Sequence, residues 1–168
     1  RQQNFLKALL ERLKSPDAIK TIPVALRIAN ENVKTDLNLY QLQKGLENAK
    51  YAVKDGGTVI LVGSCREGLG EKTFEEWMLS AKNPDDLIDR IGREFRLGGH
   101  KAAAIAMVLE NASIDLVSDM DDDFVRSIFL DPKPSAQQAL DEAFEKYGSD
   151  ATVIAMPFGG ATLPVAAE

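Results

Sequence analysis

Tyr40, Gln41 and Lys44 bring a phenol, an amide and an ammonium to one short stretch. Tyr40 lies four residues before Lys44 and Gln41 three before it, so on a helix all three share a face. The set suits a small carboxylate carrying a neighbouring hydroxyl, because amide and ammonium donate to carboxylate oxygens and the phenol both donates and accepts. The same spacing also fits the polar face of an ordinary amphipathic helix.

Four other residues mark a candidate pocket. Cys65 and Arg66 sit in the glycine-rich loop Gly63-Ser64-Cys65-Arg66-Glu67-Gly68-Leu69-Gly70. A cation and a helix start favour a thiolate. A nucleophilic cysteine also wants a base, however, and His100 is the single histidine. The expectation for Cys65 is therefore a half-buried, inert thiol. His100 and Lys101 follow Gly98-Gly99 at a helix start, where the glycines allow close approach of a ligand or a neighbouring chain.

Other patterns are excluded by their own requirements. The run from Gly63 to Thr73 ends in Glu71-Lys72-Thr73, but a phosphate loop needs Gly directly before Lys. Asp119, Asp121, Asp122 and Asp123 lack the central Gly and distal Glu of a calcium loop, and read as an acidic helix start. One histidine rules out a two-histidine acid–base pair or a cage of several histidines within this chain.

The elements that position these residues follow from periodicity. Phe5 to Lys14 reads as a helix, Ile22 to Ala29 as a strand, and Asn30 to Thr35 as loop. Asp36 or Asn38 caps the next helix, whose apolar face runs Leu39, Leu42, Leu46, Ala49, Val53. Thr58 to Val62 reads as a strand buried on both faces. Helices are expected over Thr73 to Ser80, from Pro84 to Leu97 with Asn83 as cap, and over residues 100–110. Ile114 to Val117 is a strand, Asp131 to Pro134 a loop, and Ser135 caps a helix that Gly148 ends. Thr152 to Met156 reads as the last strand. Alternating strands and helices give a three-layer α/β domain with a largely parallel sheet.

Composition agrees with one such domain. The 168 residues are 45% hydrophobic and 27% charged, enough to bury a core without disulfides. A net charge of -6 argues against a nucleic-acid partner. No apolar run has the length of a membrane span, and the single cysteine fits a reducing cytoplasm.

Five stretches, in order, carry a family resemblance. They are Asp36-Leu37-Asn38-Leu39-Tyr40-Gln41 with Lys44; Gly56 to Val62; Phe74-Glu75-Glu76-Trp77; Gly98-Gly99-His100-Lys101-Ala102; and Met156-Pro157-Phe158-Gly159-Gly160-Ala161-Thr162-Leu163-Pro164. Together they resemble the C-terminal domain of nickel-dependent lactate racemases, over residues 36–168. Residues 1–35 do not fit that pattern and stay unplaced, as a hinge or a joined piece.

The resemblance implies a racemase or epimerase of 2-hydroxy acids, lactate or related. It works by hydride transfer to a nickel pincer nucleotide held mainly by a separate N-terminal domain. That domain carries the catalytic histidines and the cofactor lysine, which have no counterpart here. The C-terminal domain contributes substrate-binding Tyr40, Gln41 and Lys44, and by itself is expected to be inactive. A second expectation stands beside it: a stand-alone module that binds a small anion through the glycine-rich loop, with Arg66 and Lys72 as its cations.

Overall fold

The protein is described by a computed structural model over residues 37–165. The expected helix at 5–14, strand at 22–29, loop at 30–35 and Asp36 cap lie outside the described residues.

Leu39–Ala49 forms helix α1. Asn38 caps it: its side chain accepts from the Gln41 N–H, and the Gln41 side chain accepts from the Asn38 N–H, both at 3.1 Å. This reciprocal box satisfies donors that a helix start otherwise leaves open. Leu39, Leu42 and Leu46 turn inward on the expected spacing. The helix stops at Ala49, short of Val53, and further turns lead to Gly56 at φ 75, a conformation glycine adopts without strain.

Gly57–Val62 is β1 and Ala112–Val117 is β2, paired in parallel with Val59 opposite Ile114. Parallel neighbours need a crossover. Three helices supply it: α2 (Lys72–Ser80), α3 (Pro84–Arg93) and α4 (Gly99–Leu109). α3 has Asn83 as cap and Pro84 in its first turn, as expected. It ends at Arg93 rather than Leu97. The chain turns extended at Glu94 to reach Gly98, and leaves Phe95 and Leu97 on the surface. Gly99 then lies against Trp77, where a Cβ would come within 2.5 Å of the indole.

Asp122–Ser127 forms α5, capped by Asp121, so the acidic run is a helix start with Asp122 and Asp123 in its first turn. Asp131–Pro132, expected as loop, is a short third strand, β3, parallel to β2 in the order β1-β2-β3. Pairing to the β2 edge decides this, which local sequence does not show. Ala136–Tyr147 forms α6, with Ser135 as cap and Gly148 after its last turn.

β1 is half-buried in alternation, not buried on both faces. Val59 and Leu61 join Leu39, Leu42, Leu46, Phe74, Trp77, Ile105, Ile114 and Leu116 in the main core. The opposite face carries Thr58, Ser113 and Asp115. There the Tyr147 hydroxyl donates to Gly56 O at 2.7 Å and stands 2.8 Å from the Thr58 hydroxyl, fastening α6 to the sheet. Lys133 pairs with Asp131 and Glu142 beside Asp115 on the same side. The result is α/β with helices on both faces of a parallel sheet.

Thr152 to Met156 forms no strand. Its residues favour extended backbone, but a strand needs a ladder partner, and among the described residues the sheet ends at β3. Ile154 is accordingly 59% exposed. A 3₁₀ turn at Gly159–Ala161 follows. Among the described residues no helix is long and apolar enough to cross a membrane.

Candidate functional site

The start of α1 shows what is left for a ligand. Leu39 N–H donates to Gly68 O and Tyr40 N–H to Leu69 O, each at 3.1 Å, and Gln41 N–H is taken by Asn38. The glycine-rich loop therefore turns its carbonyls onto α1 and uses up the donors of that helix start. At the other end of the loop, Glu71 places its carboxylate on the N–H groups of Thr73 and Phe74, at 3.1 and 2.7 Å. A carboxylate already fills the position an anion would take at α2.

Cys65 is buried at φ 47 and belongs to the core. Burial pushes its thiol up to about 11, and Asp119 pushes the same way. The sulfur is therefore kept protonated at neutral pH, and it is buried rather than half-buried as the sequence suggested. Arg66 pairs with Asp119 at 2.8 Å past the end of β2.

The trio on α1 divides its work. The Tyr40 ring is half-buried and meets Phe74 edge-on at 5.6 Å between centroids. Gln41 is exposed and has its carboxamide oxygen committed to the cap, which leaves its amide N–H groups as donors. Lys44 is exposed and pairs with Glu47 at 3.4 Å. The face they share is therefore graded: Tyr40 leans inward while Gln41 and Lys44 face solvent.

α4 brings its first turn to the same place. Lys101 Nζ donates to Tyr40 O at 2.7 Å and lies 4.0 Å from the Tyr40 ring centre. Burial pulls its ammonium below the ordinary lysine range; Glu47 pushes it up and Lys44 pushes it down. His100 accepts the Gly98 N–H on Nδ1 at 3.2 Å and stacks on Phe95, centroids 5.8 Å apart. Tyr40, Lys44 and Lys101 are thus brought together, and His100 is Lys101's neighbour in the chain.

Two partners were not legible beforehand. The Asn48 amide, on a buried side chain, donates to Gly159 O at 2.7 Å. Gly45 and Gly159 meet so closely that a Cβ on Gly159 would lie 3.3 Å from Gly45 Cα. The C-terminal turn is thereby seated on α1. Together they form a cleft of about 340 Å³ lined by Lys44, Glu47, Asn48, Tyr51, Gly160 and Leu163. The one sequence signal was Gly45 inside a helix, where glycine costs about 0.5–1 kcal/mol relative to alanine and needs a packing reason.

The sequence pattern of the lactate racemase C-terminal domain matches residues 19–163. The lactate racemase of Thermoanaerobacterium thermosaccharolyticum is 29% identical over 136 residues, covering 78% of this chain and 32% of that protein. The lactate racemase of Lactiplantibacillus plantarum is 28% identical, covering 74% of this chain and 30% of that protein. The solved structure of the T. thermosaccharolyticum lactate racemase apoprotein superposes with a TM-score of 0.69 at 27% identity, over 76% of this chain and 32% of that one. The chain spans about a third of the length of these relatives. It belongs to the lactate racemase C-terminal domain family.

Proposed function

We propose that this chain acts as the substrate-contacting C-terminal domain of a racemase or epimerase of 2-hydroxy acids, lactate or related. The rest of the machinery stands on an N-terminal partner domain. The observation that carries the reading is the start of α1. Its backbone donors are engaged, so the side chains of Tyr40, Gln41 and Lys44 are what remains to meet a ligand.

Lys44 is suited to the substrate carboxylate. Its present pair with Glu47 is exposed, and such pairs are worth about 0–1 kcal/mol. Exchanging Glu47 for a carboxylate in a closed, drier site costs little and gains a charge-assisted bond. The Gln41 amide is placed to donate to the carboxylate or hydroxyl. Tyr40, fixed between Phe74 and Lys101, offers its phenol to the hydroxyl.

The nickel pincer nucleotide of the family would supply the hydride acceptor when bound. Among the described residues no three His, Cys, Asp or Glu side chains group as metal ligands. The ammonium groups of Lys44 and Lys101 suit an anion rather than a metal. The residues here do not fit the metal, which the proposal places on the partner domain.

The test joins this chain to a cofactor-loaded N-terminal domain and follows D- and L-lactate by chiral chromatography. The expected result is interconversion that Lys44→Ala strongly reduces. No interconversion of lactate, or of any acid in a panel of 2-hydroxy acids, would sink the proposal.

A further inference from the structure

Lys101 stands where a lysine is locally unfavourable. It lies in the first turn of α4, whose amide dipoles repel a cation, and it is half-buried. Gly98, at the cap position of α4, has no side chain to offset this. The charges acting on it from α1 are Glu47, which favours the ammonium, and Lys44, which opposes it. Locally costly residues of this kind are held where their contacts serve the site.

Its hydrogen bond and its ring contact both lead to Tyr40. The Nζ atom donates to the Tyr40 carbonyl at 2.7 Å and sits 4.0 Å from the centre of the Tyr40 ring. The first contact holds the backbone of the first turn of α1; the second presses on the side chain through a cation–π contact. Phe74 closes the ring from another side at 5.6 Å. With backbone and ring both held, Tyr40 loses the rotamer freedom it would otherwise surrender on binding a ligand.

We infer that Lys101 is a positioning residue: it clamps Tyr40 on α1 so that the phenol, Gln41 and Lys44 meet the substrate in one fixed arrangement. This rests on the reading of α1 as the substrate-contacting helix. Lys101 touches Tyr40 and acts through it.

The test compares Lys101→Met and Lys101→Arg with the unsubstituted two-domain enzyme, using lactate as the probe. The Lys101→Met variant is expected to raise KM about tenfold, equivalent to about 1.4 kcal/mol, with kcat largely kept. Lys101→Arg restores a cation and recovers part of the loss. An unchanged KM in Lys101→Met overturns the inference whatever happens to its melting temperature.

A second readout needs no turnover. The enzyme is labelled with 3-fluorotyrosine, and the Tyr40 signal is assigned by Tyr40→Phe. Lys101→Met is expected to move that ¹⁹F signal and leave those of Tyr51 and Tyr147 in place. An unmoved Tyr40 signal also overturns the inference. If the unsubstituted enzyme racemises nothing, the substrate-contact reading fails, and the fluorine comparison still decides the clamp.

Discussion

The loop Gly63–Gly70 and the turn Gly159–Ala161 both carry paired or clustered glycines, and both press on α1. They do opposite things. The first turns backbone carbonyls onto the fold. Gly68 and Leu69 carbonyls close the start of α1, and Gly70, at φ 86, leaves room for the Asn38 cap. The second is tied down by a hydrogen bond from the Asn48 amide and by close packing of Gly45 against Gly159 and Gly160, and leaves an open polar cleft beside Lys44. Glycine in the first region serves packing; in the second it lets a wall approach a helix that still has side chains to offer.

The contrast breaks most visibly at Gly70. A Cβ there would lie 2.1 Å from the Asn38 side chain, in a left-handed conformation. Gly70→Ala is expected to cost about 3 kcal/mol, combining about 1–3 for backbone strain with about 1 for the cap. Urea unfolding measures it, and a loss under about 0.5 kcal/mol would remove the packing role of the loop.

At Lys44 the effect should move from stability to binding. Lys44→Ala is expected to raise KM for the hydroxy acid about 10–100-fold, from a charge-assisted bond worth about 1.5–3 kcal/mol. Unfolding stability should stay within about 0.5 kcal/mol, the side chain being 56% exposed. The reverse pattern, normal KM with lost stability, would erase the distinction between the two regions.

Cys65 sharpens the loop side through pH. Its thiol titrates at about 11 in the fold against an ordinary 9.0, because burial favours the neutral form. Its contribution is therefore complete below pH 9 and is lost as pH rises through about 11, by at most about 2.7 kcal/mol. Cys65→Ala should flatten that part of the stability curve, and iodoacetamide should label the native thiol only slowly at pH 8. Rapid labelling there would contradict the buried, protonated sulfur.

Asn48→Ala removes the bond to Gly159 and should cost about 1 kcal/mol, with faster hydrogen exchange in the C-terminal turn. The smallest effect is expected at Arg66. Its pair with Asp119 is more than half exposed on both sides, so Arg66→Ala should change stability by about 0.5 kcal/mol or less and leave KM alone. A large rise in KM would restore the loop as a ligand site.

Local chemistry carried much of this protein into view. Helix caps at Asn38, Asn83 and Ser135, the glycine stop at Gly148 and the apolar periodicity of α1 act within one or two turns. They are readable because the interacting groups are near neighbours in the chain. Helical spacing likewise puts Tyr40, Gln41 and Lys44 on adjacent turns, but it fits an ordinary amphipathic helix equally well, and only the family resemblance singled them out as a candidate site.

What depended on distant partners was not legible. Thr152 to Met156 has the residues of a strand but no ladder partner, whereas Asp131–Pro132 looks like a loop and is drawn into the sheet by β2. The Lys101 contact to Tyr40 joins residues 61 apart, and Asn48 reaches Gly159 across 111 positions. Sequence by itself determined the α/β class, most helix starts and the polar face of α1, since propensity, capping and periodicity are short-range. Only the tertiary structure decided that carbonyls of the glycine-rich loop close the start of α1. It alone placed the first turn of α4 and the C-terminal turn beside Lys44, because hydrogen bonds and steric contacts between distant segments exist only once the chain has packed.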